Sequence, residues 1–287
     1  MDISVIVPTY NRPGMLLQCL NGLFAQQIDR EWEIIIIDDG SKIDLQPLIR
    51  SFDLHNRVRY HKQKNQGPAH ARNTGVRLAQ GEFIAFTDDD CIPEPDWLQV
   101  LWEHREEKAI VGGKTINILP NSYSEASQLL IDILYHFFEG SLFYFFTSNN
   151  FALYRDTFYA IGQFDESFPT SAGEDREFCV RALHTGYHLK FVENARLHHI
   201  HNHTLRTFWN MHFKYGTATI VYHEKIKEYE TDIQLGERYF YRNLVTYPLR
   251  LKKYGWIQKM KLIGLLGLSQ VAHFLGYISA YIQRRFG

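Results

Sequence analysis

The chain has 287 residues, 45% of them hydrophobic and 15% aromatic, which is enough for one large or two modest packed domains and excludes a disordered chain. Its 31 Lys and Arg balance 32 Asp and Glu, and a formal charge of −1 gives no global attraction to nucleic acid or to an anionic surface, so any electrostatic function must be local. Cys19, Cys91 and Cys179 are odd in number, far apart and without metal-ligand spacing, the pattern of a reducing compartment.

The N-terminal MDISVIVPTYNRPG lacks a basic n-region and meets Pro8 too soon for a signal peptide's apolar segment, so it reads as the first strand of a domain. Strands are expected at Ile3 to Pro8, Glu33 to Asp38, Val58 to Lys62 and Phe83 to Thr87, with helices near 14–27, 44–53, 68–80 and 94–106. Runs such as EIIIID are apolar on both faces, which predicts a mostly parallel sheet covered by helices on both sides, the doubly wound α/β class. Ligands in that class bind at the carboxyl ends of the strands, where PTYNR, DDGS and TDDDC all fall. After Gly112 the alternation stops, and residues 120–147 form an aromatic-rich stretch. TSNNFALYRDTFYAIGQFDESF resumes as strand, helix and turn, and GEDREFCVRALHTG reads as a helix closed by Gly186. HLKFV is a further strand, ARLHHIHNH follows it, and the tail from Thr204 reads as helices. The expected division is an α/β domain over 1–203 and a helical region over 204–287.

Three consecutive aspartates, Asp88, Asp89 and Asp90, end the run FIAFTDDD. Like charges so close raise one another's pKa unless a cation or strong donors hold them, so something positive belongs there. In chain order, VIVPTYNR, IIIIDDGSKID, KNQGPAHARNTGVRLAQGEFIAFTDDDCIPEPDWL, NNFALYRDTFYAIGQFDESF, GEDREFCVRALHTGY and ARLHH resemble a family 2 glycosyltransferase with the GT-A fold, over residues 3–215. An acidic triplet alone is weak evidence; six segments in the right order are strong.

The resemblance implies a donor half at 1–115 and an acceptor half at 116–203. It implies a nucleotide-sugar donor, uridine type by default, whose diphosphate leaves with its charge neutralised by Mn²⁺ or Mg²⁺. Asp90 would meet the metal, Asp88 the ribose and the metal, and Asp89 would fill the variable middle position on the donor side. His199 of ARLHH would complete the metal site. Strand alternation puts His199, His201 and His203 on one face and His198 on the other. Pro8, Thr9 and Tyr10 would line the base pocket with Arg12 nearby, Asp39 would accept from the base, and Arg72 would reach the base or diphosphate. Asp38 reads as a structural residue and Gly40 as a turn residue with positive φ.

By the same resemblance Asp175 is the general base for the acceptor hydroxyl, kept ionised by a helix N-terminus that lowers its pKa. Glu174, Asn150 and Trp209 are expected at the acceptor, which would be a glycan, a glycolipid or another hydroxyl compound in cell-surface polysaccharide or glycolipid synthesis. The resemblance also implies in-line displacement with inversion at the anomeric carbon, with which one base and no separate nucleophile are consistent. Processive members carry Q-x-x-R-W after the base; TLRTFWNMHFKYG has Arg206 and Trp209 in another arrangement, so one sugar is added per encounter. Residues 262–282 have about the length of a membrane span and no formal charge, and Lys252, Lys253, Lys259 and Lys261 precede them. The expectation is a cytoplasmic protein held peripherally at the inner face of the plasma membrane, with no nucleic-acid partner. A non-catalytic nucleotide- or glycan-binding descendant is the alternative.

Overall fold

The computed structural model describes residues 1–52, 57–138, 145–168, 172–229 and 237–286. Every position of β1 (Ile3–Thr9) and β2 (Trp32–Asp38) is buried, as their two-faced apolar pattern requires. β3 (Val58–Lys62), with the polar sequence VRYHK, is only partly buried and forms the sheet edge. β2 pairs in parallel with both β1 and β3, and β1 also pairs in parallel with β4 (Phe83–Phe86). The intervening helices are α1 (Pro13–Phe24), α2 (Gln46–Phe52) and α3 (Pro68–Leu78), and proline opens α1 and α3.

Beyond β4 the sheet changes character. The strands are β5 (Cys91–Pro93), β6 (Ala109–Asn117), β7 (Phe151–Tyr154) and β8 (His188–His199), and the order is β3-β2-β1-β4-β7-β6-β8-β5. β7 is antiparallel to β4 and β6, and β5 to β8. The mostly parallel sheet foreseen from the sequence is present through β1–β4, and antiparallel strands beyond β4 make the whole sheet mixed. Helix α4 (Trp97–Glu103) follows β5, α6 (Arg155–Ile161) follows β7, and α7 (Glu174–His184) precedes β8.

The chain divides into two compact units, Met1–Ile116 with Tyr144–Ile200 and Asn117–Phe143 with His201–Gly287. The first is centred on Val5, Val7, Ile34, Ile36, Phe83 and Trp97, all nearly or wholly inaccessible to solvent. The second is helical: α5 (Ser122–Phe138), α8 (Leu205–Ile226), α9 (Glu237–Arg250) and α10 (Trp256–Phe286). Ala126, Leu129 and Ile133 on α5 pack with Phe208, Leu244, Leu262 and Leu266, so α5 belongs with the C-terminal helices. The aromatic stretch at 120–147 thus supplies a core helix, and its residues 139–144 lie outside the described residues.

Candidate active site

The loops after β1, β2 and β4 meet at the carboxyl ends of the parallel strands, where such sheets bind ligands. Asp39 N–H donates to the Thr9 carbonyl at 2.9 Å, and Asn11 N–H to Ser41 Oγ at 2.8 Å, tying the first two loops together. Asp38 is a structural residue: its carboxylate accepts from Ser41 N–H at 2.7 Å and from the Tyr60 hydroxyl at 2.7 Å. Gly40 follows with φ +85°. Asp39 accepts from Gln63 Nε2 and from the N–H groups of Gln66 and Gly67 at 2.8–2.9 Å, bridging the loop to the start of α3. Pro8 is buried in β1, while Tyr10 is 43% exposed at the loop tip.

The acidic triplet follows β4. Asp89 is wholly buried; it accepts from the Thr9 hydroxyl at 2.7 Å, and its other oxygen lies 2.5 Å from Arg12 Nη2. Burial, only partly offset by Arg12, pushes its pKa up to about 7. Its expected donor-side place thus becomes an internal one, fastening the triplet to the first loop. Asp90 accepts from Arg12 Nη1 at 2.8 Å, and its other oxygen stands 3.5 Å from His199 Nε2. β5 is antiparallel to β8, with Cys91 opposite His199, and Ile200 N–H donates to the Asp90 carbonyl at 2.8 Å. Burial alone would depress the His199 pKa, but Asp90 outweighs it and the net shift is upward. The strand ends at His199, so the expected alternation does not carry on to His201 and His203, whose rings lie 3.8 Å apart in the second unit.

Asp88 has the most exposed side chain of the three, and Arg72 Nη2 donates to it at 2.7 Å. Arg72 is itself buried in α3, and its Nη1 donates to Glu174 at 3.1 Å. The guanidinium expected at the base or diphosphate thus bridges the triplet to the start of α7. Glu174 is buried, and this burial followed by the neighbouring Asp175 charge raises its pKa to about 7 against the opposing pull of Arg72. Its Oε2 has no hydrogen-bond partner among the described residues. Asp175 accepts from Ser148 N–H at 3.2 Å and Arg176 N–H at 2.8 Å. Its pKa is raised, not lowered as the helix dipole led us to expect, because desolvation exceeds what those donors and Arg72 return. Ser148 was not foreseen; its one sequence signal is the TSNN turn ahead of β7.

Of two further residues expected at the acceptor, Asn150 is internal and Trp209 belongs to the second unit. Asn150 is 1% exposed; its Oδ1 accepts from Trp97 Nε1 at 2.8 Å and its Nδ2 donates to the Ala195 carbonyl at 3.1 Å, an internal tie between α4, β7 and β8. Trp209 stands on α8 in the second unit, beside a groove of about 480 Å³ that it lines with Leu205, Arg206, Asn210 and Leu268.

Asp90 and His199, 3.5 Å apart, bring a carboxylate and an imidazole close enough to share one ion, donors that suit Mn²⁺ or Mg²⁺, while Asp88 beside them is bonded to Arg72. The residues present therefore fit a divalent ion.

Solved structures share this architecture. The mannosyltransferase PcManGT from Pyrobaculum calidifontis, in complex with GDP-Man and Mn²⁺, superposes with TM-score 0.59 at 17% identity, over 99% of this chain and 76% of that one. S. aureus TarS 1–349, in complex with UDP-GlcNAc, gives TM-score 0.54 at 16% identity, over 99% and 92%. The fold is that of the GT-A glycosyltransferases, with a helical C-terminal extension. The family model for glycosyl transferase family 2 matches residues 4–164, and the chain belongs to that family. A hyaluronan synthase from Pasteurella multocida is 31% identical over 238 residues, 69% of this chain, and this chain spans about a quarter of its length (24%).

Proposed function

We propose that this glycosyltransferase moves one sugar from a nucleoside-diphosphate sugar, a uridine diphosphate sugar foremost, to a hydroxyl of a glycan or glycolipid, with inversion at the anomeric carbon. The observation that carries the reading is the bridge through Arg72, which ties Asp88 of the triplet to Glu174 beside Asp175. Donor-side and acceptor-side carboxylates are thereby held in one unit.

Pro8, Thr9, Tyr10, Arg12 and Asp39 would border the base and ribose, and Arg72 would hold Asp88 toward the diphosphate. A divalent ion held by Asp88, Asp90 and His199 would supply Lewis-acid neutralisation of the leaving diphosphate. Mn²⁺ in PcManGT supports the choice of ion, and UDP-GlcNAc in TarS supports the choice of donor. Asp175 would take the proton of the acceptor hydroxyl as the new C–O bond forms, while the anomeric C–O bond to phosphate breaks and its electron pair leaves with the diphosphate. A carboxylate with a raised pKa is the better base near neutral pH. Glu174, with one buried oxygen unpartnered, would hold a second acceptor hydroxyl. Arg206 and Trp209 do not form Q-x-x-R-W, which supports one sugar per encounter. The site of action is the cytoplasmic leaflet of a membrane.

A melting-temperature screen of uridine, guanosine and thymidine diphosphates with Mn²⁺, Mg²⁺ or EDTA tests the donor assignment. A ligand at 100 times its Kd stabilises by about 2.7 kcal/mol, and the expected result is a shift with one diphosphate only when metal is present. No shift with any of them would refute the reading; binding without turnover on any acceptor would favour a non-catalytic descendant.

A further inference from the structure

Charge is unevenly distributed along this nearly neutral chain. Residues 237–287 carry nine Lys and Arg against one Glu, a net +8, which leaves −9 for residues 1–236 of a chain whose total is −1. α10 contains no acidic residue at all. One of its faces is spent on the second unit's core, with Leu262, Leu266, Ala272 and Gly276 buried. The opposite face repeats at helical spacing and is apolar: Trp256, Ile257, Met260, Val271, Phe274 and Leu275 are all exposed, Ile257 at 85% and Phe274 at 61%. From Trp256 to Leu275 the stripe runs about 28 Å at 1.5 Å per residue.

α10 is long and apolar enough to cross a membrane, with mean hydropathy 1.4 in its best window, but its partners argue for another orientation. It lies against α8 so closely that a Cβ on Gly216 would meet the His273 carbonyl, and one on Gly276 the Phe213 carbonyl. Thr219 and His273 share a hydrogen bond of 3.1 Å, and Glu224 pairs with Arg284. α8 also carries Arg206, Lys214 and Lys225, which a spanning α10 would drag toward hydrocarbon. A helix with one face packed, the other apolar, and cations at both ends lies in the plane of the interface. A second copy is a poor occupant, because it would bring +8 against +8.

We propose that the Trp256-to-Leu275 face of α10 docks flat on an anionic phospholipid surface, with Lys252, Lys261 and Arg285 meeting the headgroups and Trp256 and Tyr281 seated at headgroup depth. The proposal rests on the cytoplasmic-leaflet reading above and supplies the surface for it. The second unit thereby holds the acidic catalytic unit at a membrane without spanning it.

Flotation of the full chain with phosphatidylglycerol–phosphatidylcholine vesicles, and with phosphatidylcholine alone, tests this. Binding should require the anionic lipid and weaken with salt. Lys252→Gln with Lys261→Gln should weaken it by about fivefold per lysine, and Ile257→Glu with Phe274→Glu should abolish it. No flotation with the anionic vesicles, or flotation unchanged by Ile257→Glu with Phe274→Glu, would overturn the proposal. So would a vesicle-free dimer that these two substitutions convert to monomer while flotation persists. The melting shift with nucleoside diphosphate, measured on the same variants, reports separately on the transferase site and on folding. A failed shift with intact flotation sinks the transferase reading alone; the reverse sinks only the docking.

Discussion

Replacing Arg72 with Met would remove the cation that two carboxylates share, and the consequence follows from Glu174. That side chain is 5% exposed, sits 3.1 Å from the guanidinium and titrates at about 7 instead of 4.5. An acid whose folded pKa is raised contributes stability below its unfolded pKa and loses it as pH rises to the folded value. In the wild type this loss therefore runs between pH 4.5 and 7 and is then complete. Without Arg72 the folded pKa moves above 7, and the loss continues at about 1.4 kcal/mol per pH unit. The penalty of Arg72→Met should therefore grow by up to about 2.7 kcal/mol between pH 7 and pH 9, on top of a pH-independent part from lost packing and the lost Asp88 bond. Urea unfolding followed by circular dichroism at each pH, in EDTA, measures it, and Glu174→Gln in the same background should remove most of the slope. Asp175 beside it titrates with it, so a small slope should remain. A penalty equal at pH 6 and pH 9 would refute the reasoning.

Asp90→Ala should abolish the metal-dependent melting shift with nucleoside diphosphate, and an undiminished Mn²⁺-dependent shift would remove Asp90 from the donor set. His212 is buried in the second unit, and desolvation followed by the nearby His203 and His273 lowers its pKa to about 3. A base with a depressed folded pKa contributes stability above its unfolded value near 6.5 and loses it as pH falls. The protein should lose about 2 kcal/mol on going from pH 7 to pH 5 through this group alone. His212→Asn should flatten that limb of a urea-midpoint profile, and an unchanged limb would contradict the assignment.

The parallel half of the sheet was readable because β1, β2 and β4 are apolar on both faces and end in distinctive loops, PTYNR, DDGS and TDDDC. Asp38 and Gly40 were likewise legible, since a turn needing positive φ after a buried strand leaves few choices. The reversal beyond β4 was not, because short strands such as FALY carry no mark of direction. α5 read as an aromatic stretch with no assigned partner, since pairing Ala126 and Leu129 with Leu262 spans more than 130 residues of sequence. The bridging role of Arg72 escaped for the same reason: Glu174 lies 102 residues away. The Asp175 shift was misjudged because a helix dipole is visible in sequence whereas desolvation is a property of packing. Asn150 looked available in NNFALY only because the carbonyl of Ala195 and the indole of Trp97 come from distant elements.

The central claim is that Asp175 is the base of a glycosyl transfer. The measurement that meets it most directly is turnover of a nucleoside-diphosphate sugar beside its binding affinity, in wild type and Asp175→Asn. The account predicts an affinity unchanged within about twofold and a kcat lower by about a hundredfold or more. Turnover undiminished in Asp175→Asn would contradict it.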